Sequence, residues 1–365
     1  MRDVYEQIPG SVTAPRGFRA AGVACGIKAA RGLDLAVMAS ERPAAVAAVF
    51  TTNRAQAAPI LVSRANLARA AGRASAVVVN SGCANACTGA DGLQHAQEMA
   101  ALTAQALSVD AGAVLVASTG VIGVKLPMQN VARGIDEAVR SLSPDGGPSA
   151  ARAIMTTDPF PKEAAVEVHA DAGTFRVGGI AKGSGMIEPL MATMLGFVTL
   201  DAAVEPALLQ RALKAVCDDT FNAITVDGEC STNDCVFALA NGASGVMLMD
   251  ADYAFLVDAL RQVCQPLALG IVRGGEGATK LVTVRVVGAA SDQEARRTAR
   301  AIANSPLVKT AIHGGDPNWG RLVAVMGRSG SAFTLDRAAV RIGPVELFKD
   351  GTPYDDRAPQ AAAYL

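Results

Sequence analysis

Short apolar runs that end abruptly in polar turn residues recur along this chain, and they restrict its fold more than any other feature. The runs cover residues 46–50, 76–79, 114–117 and 223–226, and each is followed by Asn, Ser, Thr, Asp or Gly. Runs of this length, bounded by turn formers, are typical of strands that are buried on both faces. The pattern therefore predicts an α/β protein whose buried strands lead into polar loops.

Four helices are predicted in addition to these strands. They cover residues 91–107, 206–217, 253–267 and 292–303, with Asp91 expected to cap the first and Pro206 expected in the first turn of the second. Residues 281–287 alternate, with Val282, Val284 and Val286 on one side and Thr283 and Arg285 on the other, which predicts a half-exposed strand. Residues 341–342 and 345–348 predict a late hairpin around Gly343-Pro344.

Charge and composition favour a small-molecule partner. The chain has 365 residues, enough for one or two domains, and a formal net charge of −1 with 18% charged residues. It has no basic field for nucleic acid, no signal-like start, and no segment approaching the ~18 apolar residues that cross a bilayer. We therefore expect neither nucleic acid nor a membrane as a partner.

The cysteines indicate a reducing compartment and no metal site. The chain has seven, an odd number, scattered between Cys25 and Cys264. Unpaired thiols of this kind are typical of cytoplasmic proteins. The pairs Cys83/Cys87 and Cys230/Cys235 lack a second ligand pair at zinc spacing, so buried, reduced side chains are expected.

The stretch 182–200, KGSGMIEPLMATMLGFVTL, places Thr193 inside an apolar run. Its hydroxyl fits either a core threonine or a nucleophile in a water-poor site, and the pattern alone leaves both open. A threonine hydroxyl needs a base beside it, and its own α-amino group, with a pKa of about 7.7–8, can serve. That amine becomes free only if the Ala192–Thr193 peptide bond is cut, and the small Ala192 side chain leaves room for such an attack.

Three other features could support acyl chemistry at Thr193. The Ser118-Thr119-Gly120 turn at a predicted strand end could offer donors to an oxyanion. Lys182 could hold a carboxylate, and Glu276 is the one carboxylate of a glycine-rich loop. A Ser-His-Asp triad is disfavoured because no GxSxG motif is present, and the glycine cluster 270–277 does not match the spacing of nucleotide-binding motifs.

Several long motifs occur along the chain: STGVIG at 118–123, IMTTD at 154–158, GIAKGSGMI at 179–187, MATML at 191–195, STND at 231–234, GEGATK at 275–280, NSPLVK at 304–309 and DPNWGR at 316–321. In this order they resemble the glutamate N-acetyltransferase/ornithine acetyltransferase family of arginine biosynthesis, and the resemblance runs through nearly the whole chain.

The resemblance implies a fold, a processing event and a reaction. The implied fold is an αββα sandwich similar to that of self-cleaving N-terminal-nucleophile enzymes, with a smaller α/β portion. Cleavage between Ala192 and Thr193 would give chains 1–192 and 193–365, in an α2β2 assembly. Thr193 would then take acetyl from N-acetylornithine and pass it to glutamate in a ping-pong cycle.

The resemblance also implies roles for individual residues. Thr193 would be the nucleophile, with Thr119 and Gly120 forming the oxyanion hole. Thr156, Lys182, Thr193 and Glu276 would contact substrate. No cofactor and no metal is implied, and the use of acetyl-CoA as a second donor stays open. His313, Trp319 and the Asp316-Pro317-Asn318 turn are expected to be structural.

Two departures from the family pattern bear on this interpretation. The family's final segment, whose Asn and Ser or Thr help close the substrate site, has no match up to Leu365, and hydroxyl-bearing residues are usual where Cys230 and Cys235 stand. Two other hypotheses remain: a self-cleaving amidase or aminopeptidase with the same nucleophile, and a binding protein that has kept the fold without the chemistry.

Overall fold

The computed structural model describes residues 4–29, 32–188 and 194–365, which fall into two compact units. The units are Met1–Glu276 and Gly277–Leu365. Ala192 and Thr193 lie outside the described residues. The cleavage that would divide the chain into 1–192 and 193–365 therefore stays a prediction, and it would fall inside the first unit.

The first unit is built on strands that are mostly apolar. They are β1 (Tyr5–Gln7), β2 (Phe18–Val23), β3 (Leu35–Phe50), β4 (Arg73–Cys83), β5 (Val114–Val121), β6 (Lys162–Ala170), β7 (Gly173–Lys182), β8 (Leu195–Leu200), β9 (Ala203–Val204), β10 (Cys235–Ala240) and β11 (Met247–Leu248). The two short strands β9 and β11 form a small parallel sheet, and the other nine are joined by hydrogen bonds.

The nine strands form two layers, and the long strand β3 belongs to both. Its second half pairs with β10 in the order β1-β6-β7-β8-β10-β3, and its first half pairs with β2 and β4, with β5 beyond β4. The register shifts between Ala39 and Ala44, and such an irregularity bends a strand. β3 thus leaves one layer and enters the other.

The helices described in the first unit are α1 (Ala58–Arg69), α2 (Gly89–Leu107), α3 (Met128–Arg140), α4 (Gly147–Ala153), α5 (Pro206–Asp219) and α6 (Tyr253–Arg273). All except α4 cover the outer faces of the two layers, and α4 packs into the cluster between them. α5 and α6 share a core with alternate residues of the β8–β10 layer, and α1, α2 and α3 share another with alternate residues of the β4–β5 layer.

The inner faces of the two layers pack against each other. Phe197 and Phe237 from one layer lie in the same buried cluster as Val77 and Leu115 from the other, with Ile154 following α4 at its edge. Because side chains alternate across a strand, each layer supplies one face to this central cluster and one face to helices. The αββα sandwich expected from the sequence is therefore confirmed.

The second unit is a smaller α/β structure, also as expected. Its elements are α7 (Asp292–Ala303), α8 (Pro306–His313), α9 (Trp319–Arg328), β12 (Ala339–Ile342), β13 (Val345–Lys349), β14 (Thr352–Pro353) and α10 (Ala358–Tyr364). The predicted hairpin is β12–β13, and Trp319 stacks on Phe348 with ring centroids 5.0 Å apart. The Asn318 side chain accepts a hydrogen bond from the Arg321 N–H and caps α9, which is a structural role.

Three local predictions were wrong. Residues 224–226 follow a short 3₁₀ turn and form no strand, because the Val226 N–H donates to the Ile187 carbonyl in a loop instead of to a ladder. Residues 281–287 form no strand either; alternation does not supply a pairing partner, and Val284 packs on the helices of the second unit. The first helix begins at Gly89 with Thr88 at its N-cap, so Asp91 lies in its first turn.

The segment Asp250–Arg273, which contains α6, is long and apolar enough by length and composition to cross a membrane, and half of its most apolar window is buried in the protein. This corrects the sequence expectation that no stretch approaches that length. Because Leu256, Leu260 and Val263 are buried against the β-sheet core, packing accounts for the apolar character of this helix.

Candidate active site

Five of the predicted site residues line one cavity of about 340 Å³ in the first unit. They are Thr119, Gly120, Thr156, Lys182 and Glu276. Met194 and Leu195, which follow the predicted nucleophile in the sequence, line the same cavity. Thr193 and Ala192 lie outside the described residues. The geometry of the site is therefore described from the other residues that line the cavity.

The end of β5 brings Thr119 and Gly120 to the cavity. β5 runs parallel to β4, and the register shifts where Cys83 lies opposite both Thr119 and Val121. Gly120 has φ +131°, and a Cβ there would lie 2.3 Å from the Gly82 carbonyl carbon. Only glycine fits this turn, because any side chain would strain the backbone and collide with the neighbouring strand.

Lys182, the last residue of β7, faces Thr119 from the other layer. Its ammonium donates to the Thr119 hydroxyl at 3.0 Å, and the residue is 8% exposed. Burial lowers the pKa of Lys182, while the carboxylates of Asp158, Asp234 and Glu276 oppose that shift. The site thus holds a buried cation close to the proposed oxyanion hole.

Asp158 connects two segments that line the cavity, although sequence reasoning gave it no role. Its carboxylate accepts hydrogen bonds from the Lys162 ammonium at 2.6 Å, the Gly183 N–H at 2.7 Å and the Thr156 N–H at 3.0 Å. Burial raises the pKa of Asp158, but the ammonium groups of Lys182 and Lys162 outweigh it, and the net pKa is lowered. The carboxylate therefore links the two segments that carry Thr156 and Lys182.

Glu276 reaches the cavity from the segment that follows α6. Its N–H donates to the Ser184 carbonyl at 3.1 Å. A Cβ added to Gly185 would lie 2.7 Å from the Glu276 Oε1 atom. A side chain at residue 185 would displace this carboxylate from its present position. The predicted glycine-rich loop is thus fixed to the segment 183–185 at its acidic residue.

The loop after β7 is held by a second carboxylate. Asp227 accepts hydrogen bonds from the N–H groups of Met186 at 2.6 Å and Ile187 at 2.7 Å, and it lines the cavity. Met186 has φ +59°, an uncommon conformation for a side-chain-bearing residue that these contacts stabilise. Asp227 thus fixes the backbone at Met186 and Ile187, a few residues before Thr193 in the sequence.

The segment 231–234 closes the other side of the cavity. The Asn233 amide donates to the Ser118 carbonyl at 2.9 Å and to the Ala84 carbonyl, so it joins this segment to β5 and to the residue that follows β4. Asp234 is 4% exposed, and its Oδ2 atom is buried without a hydrogen-bond partner among the described residues. Burial raises the pKa of Asp234 well above its ordinary value, partly offset by Ser231 and Lys182.

Sequence reasoning missed Asp158, Asn233 and Asp234 as individual residues, although two of the quoted motifs contain them. The only signal available was that they are polar residues within otherwise apolar or turn-forming segments. Their partners lie up to 149 positions away, as for Asn233 and Ala84, so no local pattern could have revealed them.

Thiol and metal chemistry have little support in this cavity. Burial raises the pKa of Cys235, the first residue of β10, and raises the pKa of Cys264 in α6 to about 12, so neither thiol is activated. One group in the described part of the chain could hold a metal ion, formed by Glu6, Glu167 and His169. None of these residues lines the cavity.

Taken together, the cavity offers a glycine turn, a buried cation and a carboxylate at the point where β5, β7 and β8 end or begin. A hydroxyl nucleophile presented here would face hydrogen-bond donors for a developing oxyanion and charges of both signs for a zwitterionic substrate. This combination suits acyl transfer from an amino-acid amide.

Comparison with known proteins gives a consistent result. Residues 19–365 match the model of the ArgJ family. The arginine biosynthesis bifunctional protein ArgJ of Synechococcus sp. is 50% identical over 368 residues, which cover 100% of this chain and 88% of the relative. That of Symbiobacterium thermophilum is 50% identical over 360 residues, covering 97% and 89%. The solved ornithine acetyltransferase from Mycobacterium tuberculosis, complexed with ornithine, is 42% identical, covers 52% of this chain and 99% of its own, and has a TM-score of 0.47.

Proposed function

This chain belongs to the ArgJ family and is an acyltransferase of arginine biosynthesis, and on that premise we propose that it transfers acetyl from N-acetylornithine to glutamate through an acetyl ester on Thr193. The observation that carries the proposal is that Thr119, Gly120, Thr156, Lys182 and Glu276 converge on one cavity beside Met194. Thr193 becomes competent after the chain cuts its own Ala192–Thr193 bond, because that cut frees the α-amine that serves as base.

The reaction has two halves that share one oxyanion hole. In the first, the Thr193 hydroxyl attacks the acetyl carbonyl of N-acetylornithine, its proton passes to the α-amine, and ornithine leaves with that proton. In the second, the amine of glutamate attacks the ester and regenerates the hydroxyl. Thr119 and Gly120 stabilise the oxyanion in both halves, and Lys182, 3.0 Å from the Thr119 hydroxyl, holds that hydroxyl in place.

The charges of the cavity fit the two proposed substrates. Glu276 binds the ammonium group of ornithine, and Lys182 binds a substrate carboxylate, with Thr156 contributing a further polar contact. Both charged side chains line the same cavity, so a substrate that carries both charges meets both partners at once. Membership of a family of arginine biosynthesis supports substrates of this kind.

We propose that the enzyme works in the cytoplasm as an α2β2 assembly of its two cleaved chains, without a metal or a resident cofactor. The use of acetyl-CoA to acetylate glutamate directly is a further part of the proposal. It is tested by supplying acetyl-CoA and glutamate without N-acetylornithine, and it fails if no N-acetylglutamate is formed.

The test of the mechanism starts from a denaturing gel. Wild-type protein is expected to show two fragments whose boundary, read by N-terminal sequencing, is Thr193. Thr193→Ala is expected to give one intact chain and no transfer. Thr193→Ser is the matched control because it keeps a hydroxyl, and it should still cleave. An active wild-type enzyme that stays in one piece would exclude the mechanism.

A second assay separates transfer from hydrolysis. If the enzyme is a transferase, glutamate must accelerate the release of ornithine from N-acetylornithine and must appear as N-acetylglutamate. An amidase with the same nucleophile would release ornithine and acetate at a rate that glutamate leaves unchanged.

A further inference from the structure

The strand that carries the proposed oxyanion turn has one edge that is closed by side chains instead of by another strand. β5 is the last strand of its layer, and β4 is its one neighbouring strand among the described residues. A strand in this position leaves the backbone N–H and C=O of every second residue unpaired on its outer edge, and such groups need another partner when they are buried. The outer edge of β5 therefore depends on side chains.

Two side chains of α1 supply partners for the first part of this edge. Asn66 donates to the Val114 carbonyl at 2.9 Å. The Ser63 hydroxyl donates to the Val116 carbonyl and accepts from the Val116 N–H, both at 2.7 Å. Both side chains are buried, at 6% and 0% exposure. The helix thus provides the hydrogen bonds that a neighbouring strand would otherwise provide.

Asn233 takes the next place on the same edge, from a distant part of the sequence. Its amide donates to the carbonyl of Ser118, two residues after Val116 along β5, at 2.9 Å. The next alternate residue is Gly120, which lines the cavity and belongs to the proposed oxyanion hole. Because alternate residues of a strand direct their backbone groups to the same edge, Asn233 fixes this edge at the position immediately before Gly120.

The hydrogen-bonding capacity of the Asn233 amide is used by the protein itself. A side-chain amide has two N–H donors, and these donate to the carbonyls of Ser118 and Ala84. Its Oδ1 atom accepts from the Thr232 hydroxyl at 2.6 Å. Asn233 lines the cavity, but both of its donors are occupied. Its contribution to the reaction therefore passes through the groups that it holds.

The Ser118 carbonyl is directly coupled to Thr119. A peptide group is planar, so the carbonyl of Ser118 and the N–H of Thr119 can only turn together. The same turn is held at two further points, because the Ser118 hydroxyl donates to the Asn80 Oδ1 atom at 2.6 Å and Lys182 donates to the Thr119 hydroxyl. Without Asn233, a buried carbonyl in this turn would lose its partner, and the backbone would move to find another.

We propose that Asn233 is a positioning residue that fixes the Thr119–Gly120 turn for the oxyanion of acetyl transfer. This inference rests on the proposed function, which assigns the oxyanion to this turn. Asn233 forms no bond to the substrate in either half of the reaction. Donors that are already oriented stabilise a transition state without the cost of rearranging during the reaction. Asn233 therefore affects the rate of transfer and not the affinity for substrate.

The experiment uses Asn233→Ala and two measurements on the cleaved, folded enzyme. The first is the release of ornithine from saturating N-acetylornithine in a single turnover, which we expect to be about 10- to 10²-fold slower than in the wild type. The second is the dissociation constant of ornithine, measured by calorimetry. It should stay unchanged, because ornithine has no acetyl carbonyl to reach the turn.

Asn66→Ala is the matched control. Asn66 makes the same kind of hydrogen bond on the same edge of β5 and is similarly buried, but it does not line the cavity. Its variant should lose stability in a denaturant titration, as Asn233→Ala does, while the single-turnover rate and the binding of ornithine stay those of the wild type. The comparison separates support of the strand from support of the turn.

Each outcome decides the proposal. An unchanged rate in cleaved Asn233→Ala overturns it, and so does a loss of ornithine binding as large as the loss of rate, which would place Asn233 in substrate binding. An equal loss of rate in Asn66→Ala also overturns it, because the whole edge of β5 would then be responsible.

Two further outcomes concern folding and cleavage. A variant of Asn233 that folds without cleaving overturns the proposal, which assigns the amide to the mature site alone. If Asn233→Ala does not fold, Asn233→Leu, which keeps the volume of the side chain and lacks both donors, decides by the same two measurements. A wild type that transfers no acetyl would instead refute the proposed function.

Discussion

At the scale of single residues, Gly120 is the position where backbone geometry and proposed chemistry depend on each other most closely. Its φ of +131° lies outside the range that side-chain-bearing residues adopt, and its α-carbon is packed against the Gly82–Cys83 peptide. The same turn carries the proposed oxyanion donors. A methyl group there could be accommodated only if the backbone moved away from the Gly82–Cys83 peptide, and that movement would misplace those donors.

Gly120→Ala is therefore expected to lower kcat by about 10²- to 10³-fold, the usual loss for one oxyanion-hole donor. Gly123→Ala is the control, because Gly123 also has a positive φ, +81°, but a Cβ added there would meet no neighbouring atom within 4 Å. Steady-state kinetics on folded protein compares them. Equal losses in both variants would show that backbone strain alone, and not the close approach to Gly82, is responsible.

The candidate site could be predicted from the sequence only in part, and the residues show why. Thr119, Gly120, Lys182 and Glu276 stand out locally, as a polar turn after an apolar strand, a cation before glycines and a lone carboxylate in a glycine-rich loop. Asp158 and Asp234 matter through burial and through partners on other strands. Those properties come from tertiary packing and have no signature in a single sequence.

At the scale of elements, the buried Asp158–Lys162 pair joins the segment after α4 to the start of β6 and the end of β7. Both side chains are almost completely removed from solvent, at 0% and 1% exposure. Breaking a buried pair by removing one charge is strongly destabilising, by about 3–5 kcal/mol, because the remaining charge is left uncompensated.

Asp158→Asn is expected to destabilise the folded enzyme by about 3–5 kcal/mol and to flatten its acid-unfolding profile. The folded pKa of Asp158 is lower than the unfolded value, so its contribution to stability is present above the unfolded pKa and is lost as the pH falls through the folded pKa. Denaturant titrations between neutral pH and about pH 3 measure both effects. A variant with unchanged stability at neutral pH would contradict the assignment.

The prediction of elements succeeded for two apolar strands and for a helix, and it failed for two segments that have the side-chain pattern of a strand but no strand to pair with. The strands at 76–79 and 114–117 lie in β4 and β5, and the helix 292–303 is α7 with the predicted bounds. The alternating segment 281–287 and the apolar run 223–226 have the side-chain pattern of strands. A strand also needs a neighbour for its backbone groups, and the sequence of one segment says nothing about that neighbour.

At the scale of the whole molecule, the proposed cleavage would cut the polypeptide without dividing the first folding unit. β8 and β10 belong to the predicted 193–365 chain, and they pair with β7 and β3 of the predicted 1–192 chain. β8 lies between β7 and β10 in the middle of its layer, and all six of its residues are buried. The two chains share one hydrophobic core.

The two fragments are therefore expected to migrate together on a sizing column in native buffer and to separate only under denaturing conditions. Unprocessed Thr193→Ala should elute at the same volume as the wild type. Light scattering on the same column would report whether the particle has the mass of two α and two β chains. Fragments that part in native buffer would contradict this shared core.

The complete burial of β8 has one more consequence. New chain ends normally fray, because few contacts restrain the first residues of a chain. A chain that starts one residue before Met194 would instead reach a fully buried central strand at its third residue, Leu195. On this side of the cut, packing would therefore restrain the new chain from its second residue, the buried Met194, onward.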